Sequence, residues 1–313
     1  MQCISPITFK NPAKAAGSYI QTVVCGKCGA CRHNRRVEWS FRIGEEAKQH
    51  IYLHFITLTY SDETIPYSDK GKPTLVKKHL QDWFKRVRKQ QSKITEDKIR
   101  YYAVGEYGTR TERPHYHVIM FGLYPEIAKE LQGTWMKGFI KVGTVTPKSI
   151  HYTTKYHVNY KKNREGQEDE FALMSRKPGI GAFYLDRTHE MTQKQVEIIK
   201  KEFDENGMLS NWKRKKKKVL SAYTGWNVSN NYMYVMNNGY KQKMPRYYKE
   251  RIFSKARIKR LSEARMSEQD KELREKAIAL LEKGYENPFR EMEKRDIERS
   301  NQVLDKGEKN NIF

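Results

Sequence analysis

Residues 113–121 read Arg-Pro-His-Tyr-His-Val-Ile-Met-Phe, and this run constrains the chain more than any other. Aromatic, β-branched and apolar residues in such a block predict a strand, here over His115–Gly122. Side chains two apart on a strand share a face, so His115 and His117 present their imidazoles side by side. Both can then reach one metal ion. The apolar continuation anchors the pair on a rigid element. An isolated His-x-His is a short pattern and is more often a pair of structural histidines, so its neighbours decide the reading.

The first neighbour is Glu106, within Ala103-Val104-Gly105-Glu106-Tyr107-Gly108 at the end of a second predicted strand, Ile99–Glu106, which Gly105 and Gly108 are expected to break. A hairpin between 106 and 115 would bring its carboxylate to the histidines. Two imidazoles and one carboxylate leave positions open for water or a phosphate oxygen, which suits Mg²⁺ or Mn²⁺ when the substrate is a phosphodiester; zinc would also bind the histidines. The second neighbour is His151-Tyr152-Thr153-Thr154-Lys155-Tyr156. On a helix, Tyr152 and Tyr156 stack at i and i+4, with Lys155 on the same side. A phenol with a pKa near about 10 is a poor nucleophile at neutral pH. A metal and an ammonium beside it would favour the phenolate. Taken alone, this segment also reads as an ordinary amphipathic helix.

Further elements follow from pattern. Leu53–Tyr60 predicts a strand, and Thr74 a cap for a helix whose face carries Val76, Leu80, Trp83, Phe84 and Val87. Trp83 and Phe84 are read there as core. A helix is predicted near Asn34–His50, a short one at Pro125–Met136, a strand at Phe139–Val145, a helix from Pro147 to about Tyr160, and a fifth strand at Gly179–Leu185. The short link between the second and third strands favours an antiparallel sheet. The fold class is therefore α+β: a central antiparallel sheet of about five strands flanked by helices, with a Cys-rich N-terminal segment and a basic helical C-terminal extension. The expected divisions are 1–50, 51–190 and 191–313.

The order strand, Glu, His-x-His, Tyr-x-x-Lys-Tyr resembles the endonuclease superfamily that carries a histidine–hydrophobe–histidine metal site. Its first motif looks like Phe55-Ile56-Thr57-Leu58-Thr59-Tyr60, its metal motif like His115-Tyr116-His117, and its nucleophile motif like Tyr152 through Tyr156. The middle residue Tyr116 departs from the usual aliphatic. Two tyrosines so spaced are similar to the replication initiators of microviruses, the small circular single-stranded DNA phages. The Cys25, Cys28, Cys31 triplet, Ser175–Gly181 and Met244-Pro245-Arg246-Tyr247-Tyr248 look like their gokushovirus branch. The resemblance covers roughly residues 20–250. It implies nicking of the viral strand at an origin, a 5′-phosphotyrosine intermediate and a free 3′-OH for a host polymerase. The second tyrosine would cut the regenerated site and let the circle close. No Gly-x-x-x-x-Gly-Lys-Ser/Thr loop occurs, so unwinding falls to supercoiling or a separate host helicase.

Composition agrees with a nucleic-acid partner. The formal net charge is +24, more than solubility requires, and basic residues interleave with twenty tyrosines, as suits single strands. Arg113 and the run Lys213, Arg214, Lys215, Lys216 are candidate DNA contacts, although that run also reads as a solvated loop. Cys25, Cys28 and Cys31, with Cys3 as a fourth thiol, suit a closed tetrahedral zinc site; free thiols are the alternative. No apolar run of about 18 residues and no signal-peptide pattern occurs, so no membrane association is expected and the host cytoplasm is the expected compartment. Competing readings are a plasmid initiator, relaxase or single-strand transposase of the same chemistry, and a non-catalytic zinc-knuckle protein that binds nucleic acid. In most relaxases the nucleophile precedes the histidines, opposite to the order here.

Overall fold

The computed structural model describes residues 3–10, 20–108, 110–156, 165–186, 227–229, 232–237, 240–253 and most positions between 271 and 298. Two compact units are distinguished, one of Arg35–Ala182 and one of the segments on either side of it.

The unit of Arg35–Ala182 is built on five antiparallel strands. In chain order they are β3 (Leu53–Tyr60), β4 (Arg100–Tyr107), β5 (Pro114–Phe121), β6 (Gly138–Thr144) and β7 (Phe171–Met174). Their order across the sheet is β6-β3-β5-β4-β7. The helices are α1 (Gly29–Ala47, which enters from the preceding segment), α2 (Lys77–Gln91), α3 (Pro125–Lys129), α4 (Gln132–Trp135) and α5 (Pro147–Tyr156). The α+β class and the central antiparallel sheet are as expected from the sequence.

Alternation along the strands sorts the core into two faces. On one face Ile56, Leu58, Tyr60, Ala103, Tyr107, Tyr116, Val118 and Met120 meet Leu80, Trp83, Phe84 and Val87 of α2. Those four are fully buried, each contributing about 1.5–3 kcal/mol of burial free energy. On the other face Tyr102, Val104, Ile119 and Phe121 pack with Ile43 and Trp39 of α1 and Ile150 of α5. Odd-numbered positions of β5 share that second face, so His115 and His117 stand beneath α5, which lies over β4 and β5.

Four sequence expectations need correction. Gly179–Leu185 is not a strand: residues 176–182 form turns, and 183–186 are helical. Its apolar residues suggested pleating, but its backbone bonds to buried side chains instead of a ladder. The Gly181 N–H donates to Glu46 Oε2 at 2.7 Å, and Arg100 Nη2 donates to the carbonyls of Pro178 and Gly179 at 3.0 and 3.2 Å. Glu46 is held in turn by Arg100 Nε. The fifth strand is Phe171–Met174, whose Ala, Leu and Met favour helix by intrinsic propensity. Second, Gly105 does not break β4. It lies inside the strand, where a Cβ would come within 3.0 Å of the Phe171 ring and 3.1 Å of Leu75. Third, Thr74 does not cap α2, whose N-cap is Val76. The Thr74 hydroxyl accepts the Glu168 N–H at 2.8 Å, and the Tyr116 hydroxyl tethers the helix start instead, accepting the Val76 N–H at 3.0 Å. Fourth, Pro125–Met136 is two short helices, because Met136 and the residues before it turn the chain into β6 with φ +56° at Met136. The helix from Pro147 is described as far as Tyr156.

The second unit contains a two-stranded ribbon, β1 (Ile7–Lys10) with β2 (Ile20–Val23). It also contains a three-stranded antiparallel meander of β8 (Asn227–Ser229), β9 (Tyr232–Asn237) and β10 (Tyr240–Lys243). Pro245 begins α6 (Arg246–Ile252), and the buried Tyr248 packs its ring on Tyr184 at 4.7 Å between centroids. Helical residues 274–282 bury Ala277 and Leu280 and expose Ile278 and Leu281.

Candidate active site

Strand pairing alone assembles the first three side chains. The β4–β5 register sets Glu106 directly opposite His115, and Val104 opposite His117. Directly opposed residues share a face, so the carboxylate and both imidazoles converge. Glu106 Oε1 lies 2.7 Å from His115 Nε2 and 3.0 Å from His117 Nε2. The rings stand nearly perpendicular, with centroids 5.0 Å apart. Glu106 is 1% exposed and His117 7% exposed, which excludes a solvated surface cluster.

The second row of contacts fixes orientation. His115 Nδ1 lies 3.0 Å from the Arg113 carbonyl. A carbonyl only accepts, so Nδ1 carries the hydrogen and neutral His115 turns a lone pair toward Glu106. His117 Nδ1 lies 3.0 Å from Thr57 Oγ1, directly across the β3–β5 register, and Phe55 stacks on the His117 ring at 5.5 Å. Such partners orient metal-binding imidazoles.

These three side chains form a set that could hold a metal ion, their ligand atoms all lying within 4.8 Å of one another. A lone pair facing a carboxylate oxygen at 2.7 Å requires a positive charge between or upon them. Without an ion, protons supply it. Burial disfavours charge on His115, but the Glu106 hydrogen bond and carboxylate outweigh it and raise its pKa. Burial likewise opposes ionisation of Glu106, and the two histidines outweigh it and lower its pKa. Glu106 Oε2 is buried and has no hydrogen-bond partner among the described residues. A buried carboxylate oxygen left without a donor is costly, and a cation at the cluster would relieve it. The donor set and the orphaned oxygen therefore fit a divalent ion.

Helix α5 brings a hydroxyl to the same point. Tyr152 OH donates to Glu106 Oε1 at 3.1 Å and lies 3.4 Å from His117 Nε2, its ring perpendicular to that of His117 at 5.0 Å. Buried Thr153 and Thr154 fix the helix. Thr154 Oγ1 pairs with Ser40 Oγ of α1 at 3.0 Å, and Ser40 also reaches His151 Nδ1 at 3.3 Å.

The structure thus gathers Glu106, His115, His117 and Tyr152. Lys155 is half-buried on the same helix. The backbone of Tyr156 ends the described helix, and its side chain lies outside the described residues, as do Lys213, Arg214, Lys215 and Lys216. Arg113 is engaged within the protein, donating at 2.6 Å to both Asp62 Oδ1 and the Tyr60 carbonyl. Sequence reasoning missed Thr57, Ser40 and Thr154. Thr57 was findable, since it sits within the first motif at the right strand parity; nothing in the sequence marks Ser40. Tyr116, the unusual middle residue, points to the opposite face. There its hydroxyl bonds Tyr60 at 2.7 Å and both backbone groups of Val76 at 3.0 Å.

The four cysteines form a separate cluster. Cys3 Sγ lies 3.5 Å from Cys25 Sγ and 3.9 Å from Cys28 Sγ, and Cys25 Sγ lies 4.0 Å from Cys31 Sγ. None is in a disulfide, and the set could hold a metal ion. Burial works to raise the Cys25 thiol pKa, but N–H donation from Cys28 and Lys27 prevails and brings it down to about 6.

Fold and site together define an α+β protein with a metal-binding group on its central sheet and a tyrosine set against it. Residues 53–162, from β3 past the end of α5, match the family model for the ORF2 type of replication-associated protein. The chain is 32% identical over 200 residues to replication-associated protein ORF2 of Spiroplasma virus 4, covering 57% of this chain and 61% of that protein. It is 27% identical over 222 residues to replication-associated protein VP4 of Bdellovibrio phage phiMH2K, covering 61% and 70%. Over 151 residues it is 26% identical to replication-associated protein ORF4 of Chlamydia phage 1, covering 42% and 37%. The chain therefore spans about three fifths of the first of these relatives, 61%. No solved structure matches. These likenesses support a replication initiator of the microvirus type.

Proposed function

We propose that this chain is a nicking and joining endonuclease that starts rolling-circle replication of a circular single-stranded DNA phage genome. The observation that carries the reading is the Tyr152 hydroxyl, 3.1 Å from a buried carboxylate that two histidines share. The Tyr152 oxygen attacks the scissile phosphorus. The Oη–P bond forms, the P–O3′ bond breaks, and the phenol's proton ends on the departing 3′ oxygen. The product is a 5′-phosphotyrosine and a free 3′-OH, and its reversal rejoins DNA without ATP because the bond energy is kept. Glu106, His115 and His117 would hold Mg²⁺ or Mn²⁺, which offsets charge on the scissile phosphate. Lys155, three residues beyond Tyr152, adds positive charge that favours phenolate. Tyr156 serves the second cut. The chain would act on the single-stranded origin in the host cytoplasm, with a host polymerase and helicase. Among the described residues no helix is long and apolar enough to cross a membrane.

The four thiols are read as a structural zinc site. A Zn–S bond of about 2.3 Å gives a tetrahedral edge of about 3.8 Å, and the observed separations bracket that value. An iron–sulfur cluster would bind each thiolate to a different iron and spread the sulfurs further apart.

Incubating protein, Mn²⁺ and single-stranded origin oligonucleotides should give a covalent adduct on a denaturing gel. Phe at both Tyr152 and Tyr156 should remove it. An adduct that survives that double change would overturn the assignment, and no adduct with the wild-type chain would favour the non-catalytic nucleic-acid-binding reading.

A further inference from the structure

The sheet face that carries the metal-binding cluster does not stop at β5. The registers continue each row across β3 to the edge strand β6. Glu106 pairs with His115, His115 with Thr59, and Thr59 with Phe139. In the next row His117 pairs with Thr57, and Thr57 with Lys141. Ile140, between them, packs against the core on the α2 side. By alternation Phe139 and Lys141 therefore turn to the face of His115 and His117. Two strand spacings separate the rows' ends, roughly 10 Å. Phe139 is 65% exposed, a large apolar ring left in solvent beside a polar cluster, and Lys141 is exposed one pleat away.

We propose that Phe139 and Lys141 form a platform for single-stranded DNA next to the scissile phosphate, the ring stacking on a base and the ammonium meeting a backbone phosphate. This rests on the nicking reading above for its register, but not for its chemistry. The occupant follows from what the surface offers. An aromatic face with a cation beside it is how sequence-tolerant single-strand sites are built, because every base has a π-face and every linkage a charge. The net charge of +24 selects a polyanion over a protein partner. Duplex DNA keeps its bases stacked and would leave the ring without a partner. Thr59 and Thr57, half-buried between the platform and the histidines, provide a polar floor along which a strand can run to the cluster.

The test uses a mixed-sequence single-stranded oligonucleotide carrying 2-aminopurine, titrated without added divalent ion and read by anisotropy and by base fluorescence. Phe139→Leu should weaken binding about tenfold and abolish the quenching that stacking produces, while Phe139→Tyr should restore both. Lys141→Ala should weaken binding and flatten its salt dependence by about one ion. Affinity, quenching and salt slope unchanged in Phe139→Leu and Lys141→Ala would overturn the platform. So would equal losses on a duplex of the same sequence. The nicking reading fails separately: wild-type chain that binds and quenches but gives no covalent adduct with Mn²⁺ would remove the catalytic assignment and leave the platform standing.

Discussion

The two metal-binding groups are built in opposite ways. Glu106, His115 and His117 sit on adjacent strands in mid-sheet, where register alone fixes their spacing and neighbours on both sides hold the backbone. Cys25, Cys28 and Cys31 lie within seven residues at the start of α1, and Cys3 comes from a distant segment. Sulfur contacts and two N–H···S bonds, from Lys27 and Cys28 to Cys25, are what hold that knuckle in shape. A site carried by a sheet exists before its ion arrives, whereas a site made of a turn and a remote thiol is completed by the ion. The first geometry suits chemistry, which needs open positions on a rigid frame. The second suits structure.

The largest expected effect tests that difference directly. Apparent binding energies of structural zinc in small motifs reach about 10–16 kcal/mol, nearly all of it coupled to folding. Stripping metal with a strong chelator should therefore release the amides of Lys27 and Cys28 to rapid hydrogen exchange, while amides of β4 and β5 keep their protection. Equal protection of the cysteine segment with and without metal would break the contrast. Next in size, Glu106→Gln should lower divalent-ion affinity roughly hundredfold or more, beyond the usual range for an outer partner. Its melting temperature should stay near wild type, because the sheet does not depend on the ion. Calorimetric titration with Mn²⁺ reads the first quantity and thermal melting the second. A variant that melts early would mean the carboxylate is part of the frame. Smaller still, Thr57→Val removes the hydroxyl at His117 Nδ1 and should weaken Mn²⁺ binding about tenfold with the ligands intact.

The same contrast explains what the sequence disclosed. Strand β3 was legible to the residue, and β4 and β5 to within one, because β-branched and apolar residues fill them and the His-x-His and Glu spacing requires a hairpin. Tyr152 at the cluster followed from motif order. What stayed hidden depends on partners distant in sequence. Phe171–Met174 pleats only because β4 offers it an edge, against its own helical preference. Residues 176–182 turn because Glu46 and Arg100, far away in the chain, take up their backbone groups. Ser40 acts through Thr154, a pairing across 114 residues that no local pattern encodes. Phe139 looked like an ordinary strand residue until the register placed it in line with His115.

The smallest expected effect is a dependence on pH. In the ion-free chain the folded pKa of His115 lies above its ordinary value of roughly 6.5. Its contribution to stability is fully present below that value and fades as pH rises through the folded pKa. Glu106 is shifted the other way, so its contribution holds above roughly 4.3 and fades only as pH falls through its lowered folded pKa. Between those limits the cluster is held together by its own proton. An added divalent ion must displace that proton, so it gains little near about pH 6 and more near about pH 8, where the proton leaves of its own accord. The gap in melting temperature between Mn²⁺-loaded and Mn²⁺-free protein should therefore widen across that interval, and Glu106→Gln should flatten it. A gap that stays constant from about pH 6 to about pH 8 in the wild-type chain would mean that the ion does not compete with the His115 proton and binds elsewhere.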